Sequence, residues 1–275
     1  MKKVVLITGV SSGFGKEASV LLARAGYTVY GTVRKALEPL PGVHLLNMDL
    51  TKPASIDSAV AALLEREAQI DVLINNAGMH LGGPIEETPA ELYRRQLDTN
   101  LHGMVHLLQA VLPPMRSQGK GLIINFSSIG GLMGLPFQAF YSASKYAIEG
   151  LSEALRMEVQ AFGIKVVLVN PGDFHTSNTA NRINVCDEKG PYAKQFEISK
   201  ACFESDETNG GKPEVMARTL LKIVRAKRPR HRYVVASLDQ KLAVLLKRIL
   251  PSCWFMPILT SHYGFKKKAN NLLSP

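Results

Sequence analysis

The most constraining feature of the chain is an apolar run near the N-terminus that leads through a glycine-rich turn into a helical stretch. The run is Val4-Val-Leu-Ile7, the turn is Thr8-Gly9-Val-Ser-Ser-Gly13-Phe-Gly15, and residues 16–25 have helical periodicity. The first glycine permits a tight turn, and the other two allow the backbone to approach an anion at a helix N-terminus. A glycine-rich turn can also be a plain loop, but between a strand and a helix it predicts a dinucleotide site.

Short apolar runs alternate with helical stretches along the rest of the chain. This alternation and the 46% hydrophobic content predict one large α/β domain over residues 1–275, with helices on both faces of a seven-stranded parallel sheet. The predicted strands are residues 3–8, 27–33, 43–48, 71–75, 121–127, 164–170 and 232–236.

Tyr141 and Lys145 lie four residues apart in a helical segment, which places a phenol and an ammonium group on one helix face. An adjacent cation stabilises phenolate and moves the pKa of tyrosine toward the range useful at neutral pH. Such a pair also occurs by chance, so it predicts a catalytic acid only together with the nucleotide turn.

Several segments between residues 4 and 180 resemble the short-chain dehydrogenase/reductase (SDR) family in order and spacing. The turn has the family pattern Thr-Gly-x-x-x-Gly-x-Gly, and residues 141–145 have its Tyr-x-x-x-Lys signature. The other matching segments are Asn75-Asn76-Ala77-Gly78, Asn100-Leu-His-Gly103, Ser127-Ser128 and Asn170-Pro171-Gly172 with Thr176. The resemblance implies a doubly wound Rossmann-type fold and hydride transfer between a nicotinamide cofactor and a carbonyl or secondary alcohol, with no metal.

The resemblance also implies the site residues. The catalytic residues would be Asn100, Ser128, Tyr141 and Lys145. The cofactor-binding residues would be Gly9, Ser11, Ser12, Gly13, Phe14, Gly15, Arg34, Lys35, Asp49, Leu50, Asn76, Ala77, Gly78, Tyr141, Lys145, Pro171, Gly172 and Thr176. Ser128 and Tyr141 would hold the substrate oxygen, and Tyr141 would donate the proton. Lys145 would bind the nicotinamide ribose and keep the tyrosine acidic.

Two of these roles have alternatives. Ser127 adjoins Ser128, and we expect Ser128 to be the catalytic hydroxyl while Ser127 supports the strand end. Asn100 is expected to hold a water that links Lys145 to solvent, and the alternative is a side chain that repairs a helix kink.

The end of the second predicted strand favours NADP(H) over NAD(H). An NAD-preferring member normally has an acidic residue where this chain has Val33. Arg34 follows and offers a guanidinium to the additional phosphate of NADP, and Lys35 adds a second cation. The alternative for Arg34 is a solvated loop residue. Asp49-Leu50 resembles the adenine contact of the family.

The positive charge is concentrated in the C-terminal part. Residues 212–268 contain 14 Lys or Arg and two acidic residues, a net charge of +12 in a chain of net charge +10. Residues 238–250 have apolar side chains at helical spacing with basic residues on the flank. This basic amphipathic extension, about residues 238–275, is expected to cover a substrate pocket or an oligomer interface. The alternative is peripheral contact with an anionic membrane. Nucleic acid is not expected, because no binding motif accompanies the charge.

The substrate is the property that the sequence constrains least. Gly130-Gly-Leu-Met-Gly-Leu-Pro-Phe137 resembles the branch containing 17β-hydroxysteroid dehydrogenase type 1 and retinol dehydrogenases. We therefore expect a bulky apolar substrate such as a steroid, retinoid or long-chain keto-lipid, with a broad reductase of small carbonyls as the alternative. Residues of about 178–211 lack periodicity and are expected to form a mobile substrate loop.

Other classes of protein are disfavoured. An epimerase or dehydratase of the extended family has a different glycine pattern, and a non-catalytic NADP-binding or membrane-associated protein would be expected to lack a catalytic residue. The three cysteines are irregularly spaced, which suggests neither disulfides nor a metal site. With no signal peptide before the first strand, we expect a cytoplasmic protein. The resemblance to the short-chain dehydrogenase/reductase family implies a homodimer or homotetramer.

Overall fold

The computed structural model describes residues 2–176 and 181–265. Its strands are β1 (Val4–Thr8), β2 (Thr28–Val33), β3 (Val43–Asn47), β4 (Val72–Asn75), β5 (Leu81–Gly82), β6 (Gly121–Phe126), β7 (Ile164–Pro171), β8 (Ile183–Asn184) and β9 (Arg232–Val235). Its helices are α1 (Gly13–Arg24), α2 (Pro53–Glu67), α3 (Ala90–Leu97), α4 (Gly103–Ser117), α5 (Ala139–Val159), α6 (Ala193–Thr208), α7 (Pro213–Arg225), α8 (Leu238–Ile249) and α9 (Ser252–His262).

Seven strands form a parallel sheet in the order β3-β2-β1-β4-β6-β7-β9, which confirms the predicted fold class. The chain winds outward in one direction from β1 and in the other direction from β4. These neighbouring strands therefore form the switch point at which doubly wound sheets bind ligands, beside their carboxyl ends. The two-residue strands β5 and β8 pair separately, and the sequence did not predict them.

Helices cover both faces of the sheet, and every residue of its central strands β1 and β4 is buried. One core contains Leu63 of α2, Leu107 of α4 and Ile148 of α5. The other core contains Leu22 of α1 and Leu220 of α7. These two cores support the edge of the sheet at which the site lies.

A third, smaller cluster joins α6 and the C-terminal helices to the segment before α5. Its buried members are Met133, Phe203, Phe255, Leu259 and Tyr263. The region predicted as an irregular loop, about residues 178–211, thus contains the sixteen-residue helix α6 and strand β8. The aperiodic pattern concealed α6 because only four of its residues are buried.

Parts of the predicted loop and extension lie outside the described residues, namely residues 177–180 and 266–275. Within the described part, the C-terminal extension forms α8 and α9. No helix in the described ranges combines the length and apolar character needed to cross a bilayer.

Candidate active site

A cleft of about 600 Å³ lies at the carboxyl ends of β1, β2, β4, β6 and β7. Most of the residues singled out from the sequence line it. They are Gly9, Ser11, Ser12, Gly13, Phe14, Arg34, Asp49, Leu50, Asn76, Ala77, Gly78, Ser128, Tyr141, Lys145, Pro171, Gly172 and Thr176. Gly15, Lys35 and Asn100 are not among the lining residues.

The glycine turn brings α1 against the end of β4. Gly9 has a φ of +72°, and a Cβ built on it would lie 2.9 Å from the Cβ of Ala77. A Cβ on Gly15 would lie 2.2 Å from the carbonyl oxygen of Gly9, so a side chain there would push the helix off the turn. Gly15 therefore acts through packing and does not form the cleft wall.

Side chains join the ends of β1 and β4. The Asn76 amide donates hydrogen bonds to the carbonyl oxygens of Thr8 at 2.8 Å and Gly9 at 3.1 Å. The backbone N–H of Ala77 donates to the Thr8 hydroxyl at 2.9 Å. These bonds fix the two strand ends between which a dinucleotide would lie.

The residues present fit a phosphorylated dinucleotide. The first turn of α1 has no acidic side chain, and Ser12 at its N-cap forms no side-chain capping bond. The N–H groups of this turn therefore remain available to a diphosphate in the cleft. Arg34 is exposed and lines the cleft, whereas Lys35 is exposed outside it.

Asp49 and Leu50 line the same end of the cleft as Arg34. Partial burial opposes ionisation of Asp49, but hydrogen bonds from the backbone and hydroxyl of Thr51 outweigh it and lower the pKa of the carboxyl. The carboxylate is thus ionised at neutral pH and held in place by its neighbour.

Ser128, Tyr141 and Lys145 meet in the cleft where β6 ends and α5 begins. The Ser128 hydroxyl accepts from the N–H of Gly130 at 3.0 Å and interacts with the Tyr141 phenol. Ser127 also lines the cleft, but its hydroxyl donates to the carbonyl oxygen of Lys145 at 3.3 Å. The Ser127 hydroxyl is thus bonded to the backbone of α5, and the catalytic role of Ser128 stays a prediction.

The predicted acidifying effect of Lys145 on Tyr141 is not present in this arrangement. Burial raises the pKa of Tyr141 to about 12, and hydrogen bonding to Ser128 lowers it only in part. The Lys145 ammonium lies 5.7 Å from the tyrosine ring centroid and donates to the carbonyl oxygen of Phe126 at 2.9 Å. Burial also lowers the pKa of Lys145 to about 8, against the charge of Glu149. Tyr141 is therefore a neutral phenol at neutral pH.

Asn100 is buried behind the cleft in a π-helical turn, Asp98–His102, between α3 and α4. Its Oδ1 accepts from the N–H of Met79 at 2.8 Å, and its Nδ2 donates to the Met79 carbonyl at 3.0 Å and to Ser144 Oγ at 3.2 Å. These bonds tie the helix irregularity to the segment after β4. They match the alternative role that the sequence left open, in which the side chain supports a helix distortion.

The structure adds a buried polar network that the sequence reasoning missed. The His80 ring stacks on the Tyr141 ring with centroids 3.9 Å apart. His80 Nε2 contacts Gln138 Oε1 at 2.7 Å, and its Nδ1 contacts the Arg182 guanidinium at 3.3 Å. Arg182 in turn forms an ion pair with Glu207. Burial and the charge of Arg182 hold the pKa of His80 well below its ordinary value, so the ring is neutral. With its proton on Nε2, the ring can donate to Gln138 and accept from Arg182.

A second group missed from the sequence lines the cleft beside Tyr141, namely Asp173 after β7, Phe203 of α6 and Tyr263 after α9. Asp173 lies next to the predicted Pro171-Gly172 segment, so its position in the sequence offered a signal. His175, which follows Phe174 in the same segment, is exposed and contacts the carbonyl oxygen of Thr208 at 3.1 Å. It is not among the residues that line the cleft.

The cysteine spacing gave no sign of a cluster formed by Cys202, Asp206 and His262. Their potential ligand atoms lie within 4.8 Å of one another. His262 and Asp206 already form a pair at 2.9 Å, which accounts for their proximity.

Comparisons with known proteins agree with this geometry. Residues 3–185 match the family model of short chain dehydrogenases. The chain is 44% identical to a 3-ketodihydrosphingosine reductase of Bacteroides thetaiotaomicron, over 96% of this chain and 99% of that protein. It is 36% identical to human 17-beta-hydroxysteroid dehydrogenase type 1, over 84% of this chain and 77% of that protein.

Solved structures are similar over most of the chain. A short-chain dehydrogenase from Streptomyces avermitilis superposes with a TM-score of 0.82 at 31% identity, covering 95% of this chain and 98% of that one. Actinorhodin polyketide ketoreductase with NADPH has a TM-score of 0.73 at 27% identity, covering 86% and 96%. The chain therefore belongs to the short-chain dehydrogenase/reductase family and is an oxidoreductase that acts on CH–OH or C=O groups with a nicotinamide cofactor.

Proposed function

We propose that the protein reduces the ketone of a long-chain keto-lipid with NADPH, and that its substrate is a sphingoid-type ketone such as 3-ketodihydrosphingosine. The observation that carries this proposal is the similarity to the bacterial 3-ketodihydrosphingosine reductase over nearly the full length of both chains. That similarity extends through α6, α8 and α9. It therefore includes Phe203 of α6 and Tyr263 after α9, which line the same cleft as Tyr141.

The residue roles follow from the positions of the side chains. Ser128 and Tyr141 would hydrogen-bond the ketone oxygen, and Tyr141 would donate the proton as negative charge develops there. A neutral phenol is the form needed for reduction, and an alkoxide is far more basic than a phenolate, so the raised pKa of Tyr141 still permits the transfer. The nicotinamide cofactor, when bound, supplies the hydride.

Two residues would support this step. Lys145 would hold the nicotinamide ribose, since its ammonium lies in the cleft next to Tyr141. Asn100 would link Lys145 to solvent through a water, and the hydrogen bond from its Nδ2 to Ser144, the residue before Lys145, supports this role. Preference for NADPH over NADH would come from Arg34, whose guanidinium can pair with the additional phosphate.

The decisive experiment measures NADPH oxidation by the purified protein with 3-ketodihydrosphingosine, a keto-steroid, a retinoid aldehyde and a small ketone. We expect the highest kcat/KM for the keto-sphingoid base, and loss of turnover in Tyr141→Phe with little change in NADPH affinity. Equal, weak rates on all four compounds would favour the broad carbonyl reductase. A preference for the steroid would favour the branch suggested by the human relative.

We also propose that α8 and α9 contact an anionic membrane surface, which is where a long-chain lipid substrate would be encountered. One face of α8 packs on the third cluster through Val244 and Leu246. The opposite face and α9 leave large apolar side chains exposed: Leu238, Leu242, Leu245, Ile249, Trp254, Met256 and Ile258. Lys241 and Arg248 are exposed on the same helix and complement anionic headgroups.

Vesicle co-sedimentation tests this proposal. The wild-type protein should bind vesicles containing phosphatidylglycerol more strongly than purely zwitterionic vesicles, and Leu242→Glu with Leu245→Glu should abolish the difference. Ile85→Glu, at an exposed apolar residue elsewhere, is the matched control. Loss of a dimer in the double variant, without any vesicle binding by the wild type, would assign this face to contact between two copies.

A further inference from the structure

Asp173 is an acidic side chain of the cleft whose side-chain hydrogen-bond partner is a neutral group. It lines the cleft together with Tyr141, and among the described residues no lysine, arginine or histidine forms an ion pair with it. Its carboxylate instead accepts a hydrogen bond from the Gln240 side-chain amide, a neutral group on α8. The neighbouring acids of α6 are already paired, Glu207 with Arg182 and Asp206 with His262.

Asp173 is thus an acidic group in the cleft that forms no ion pair with a cation among the described residues. Burial, together with the charges of Asp206 and Glu207, raises the pKa of Asp173 to about 7, while Gln240 and Arg182 oppose the shift. Asp173 and Tyr141 line the same cleft, and the charge of Asp173 contributes to the raised pKa of Tyr141. A site for a purely apolar ketone gains nothing from such a group, because a buried carboxylate without a cation is costly.

We propose that Asp173 binds a protonated primary amine on the carbon next to the substrate ketone, so that the enzyme selects 2-amino ketones over simple ketones of equal length. This inference rests on the proposed function and names the group by which its substrate would be recognised. In 3-ketodihydrosphingosine the amine is one carbon away from the ketone. With the ketone oxygen at Ser128 and Tyr141, an ammonium group on the adjacent carbon would lie in the same cleft as the Asp173 carboxyl group, with which it could pair.

The test compares 3-ketodihydrosphingosine with the matched 1-hydroxy-3-ketone that lacks the amine. Wild-type protein should prefer the amino ketone. Asp173→Asn, which keeps the shape and the hydrogen bond to Gln240, should lower kcat/KM for the amino ketone about 10- to 100-fold, mainly through KM, as expected for loss of a charge-assisted hydrogen bond. Its activity on the amine-free ketone should stay close to that of the wild type.

Asp206→Asn is the matched control, because it removes a neighbouring acid that does not line the cleft, and it should keep the wild-type preference. Equal losses on both ketones in Asp173→Asn would reduce Asp173 to a structural role and overturn the inference. Equal kcat/KM of the wild type for the two ketones would overturn it while leaving the keto-lipid function intact. Turnover of neither ketone would refute the proposed function as well.

Discussion

The buried charge of Asp173 should make the protein less stable at alkaline pH, and Asp173→Asn should remove this effect. The ordinary pKa of an aspartate is 3.8, and in the folded protein it is about 7. Between these values the unfolded chain releases a proton that the folded chain retains. The free energy of unfolding therefore falls as the pH rises through this window, and the full deficit is reached above about pH 7.

The magnitude follows from the pKa difference. About three pKa units at ~1.4 kcal/mol each correspond to about 4 kcal/mol above pH 7. This is an upper limit, because Asp173 is in part exposed to the cleft and its charge is partly screened. At roughly 2 °C per kcal/mol for a domain of this size, the variant should melt up to about 8 °C higher than the wild type at pH 8.

Thermal unfolding of the cofactor-free wild type and Asp173→Asn, each at pH 4.5 and pH 8, measures the effect. The difference in Tm should be small at the acidic pH and should grow toward pH 8. Glu158→Gln, which removes an exposed charge on α5, controls for net charge and should show no such growth. A variant that is equally stable to the wild type at pH 8, or less stable, would show that Asp173 carries no buried charge and would refute the reasoning.

Three other results are expected. The kcat/KM for an amino ketone should rise as the pH increases through about 7, because Asp173 ionises there, and an amine-free ketone should show no such rise in a parallel pH profile. Arg34→Ala should raise the Kd for NADPH about 10- to 100-fold and leave the Kd for NADH nearly unchanged in fluorescence titrations, and an equal effect on both cofactors would contradict an NADP preference. Gly15→Ala places a Cβ 2.2 Å from the Gly9 carbonyl oxygen and should abolish NADPH binding, whereas Gly150→Ala, at a helical glycine with open space around it, should bind normally.

The sheet could be predicted from the sequence because its central strands, such as β1 and β4, are fully buried and appear as short apolar runs. The glycine turn identifies β1 as the first strand of the cofactor-binding unit. The cleft residues nearest the glycine turn could also be predicted, because in the sequence they come directly after the ends of strands.

Contacts between distant parts of the chain could not be predicted. His80, Arg182 and Glu207 meet only after folding, so no local spacing joins them. The helix α6 has little apolar periodicity of its own, and it is buried by α8 and α9, which come much later in the chain. The effect of Lys145 on Tyr141 stays a prediction, and the direction of the ammonium could not be predicted because it depends on a distant backbone carbonyl, that of Phe126.

The third cluster lies apart from the two cores that support the sheet, and it supplies side chains to the cleft beside Tyr141. The match to the family model ends at residue 185, whereas Phe203, Phe255, Leu259 and Tyr263 all come later in the chain. Side chains in this cluster can change without disturbing the two cores that support the sheet. Substitution of Phe203 or Tyr263 is therefore expected to reshape the cleft beside Tyr141 while the sheet, the glycine turn and their two cores stay in place.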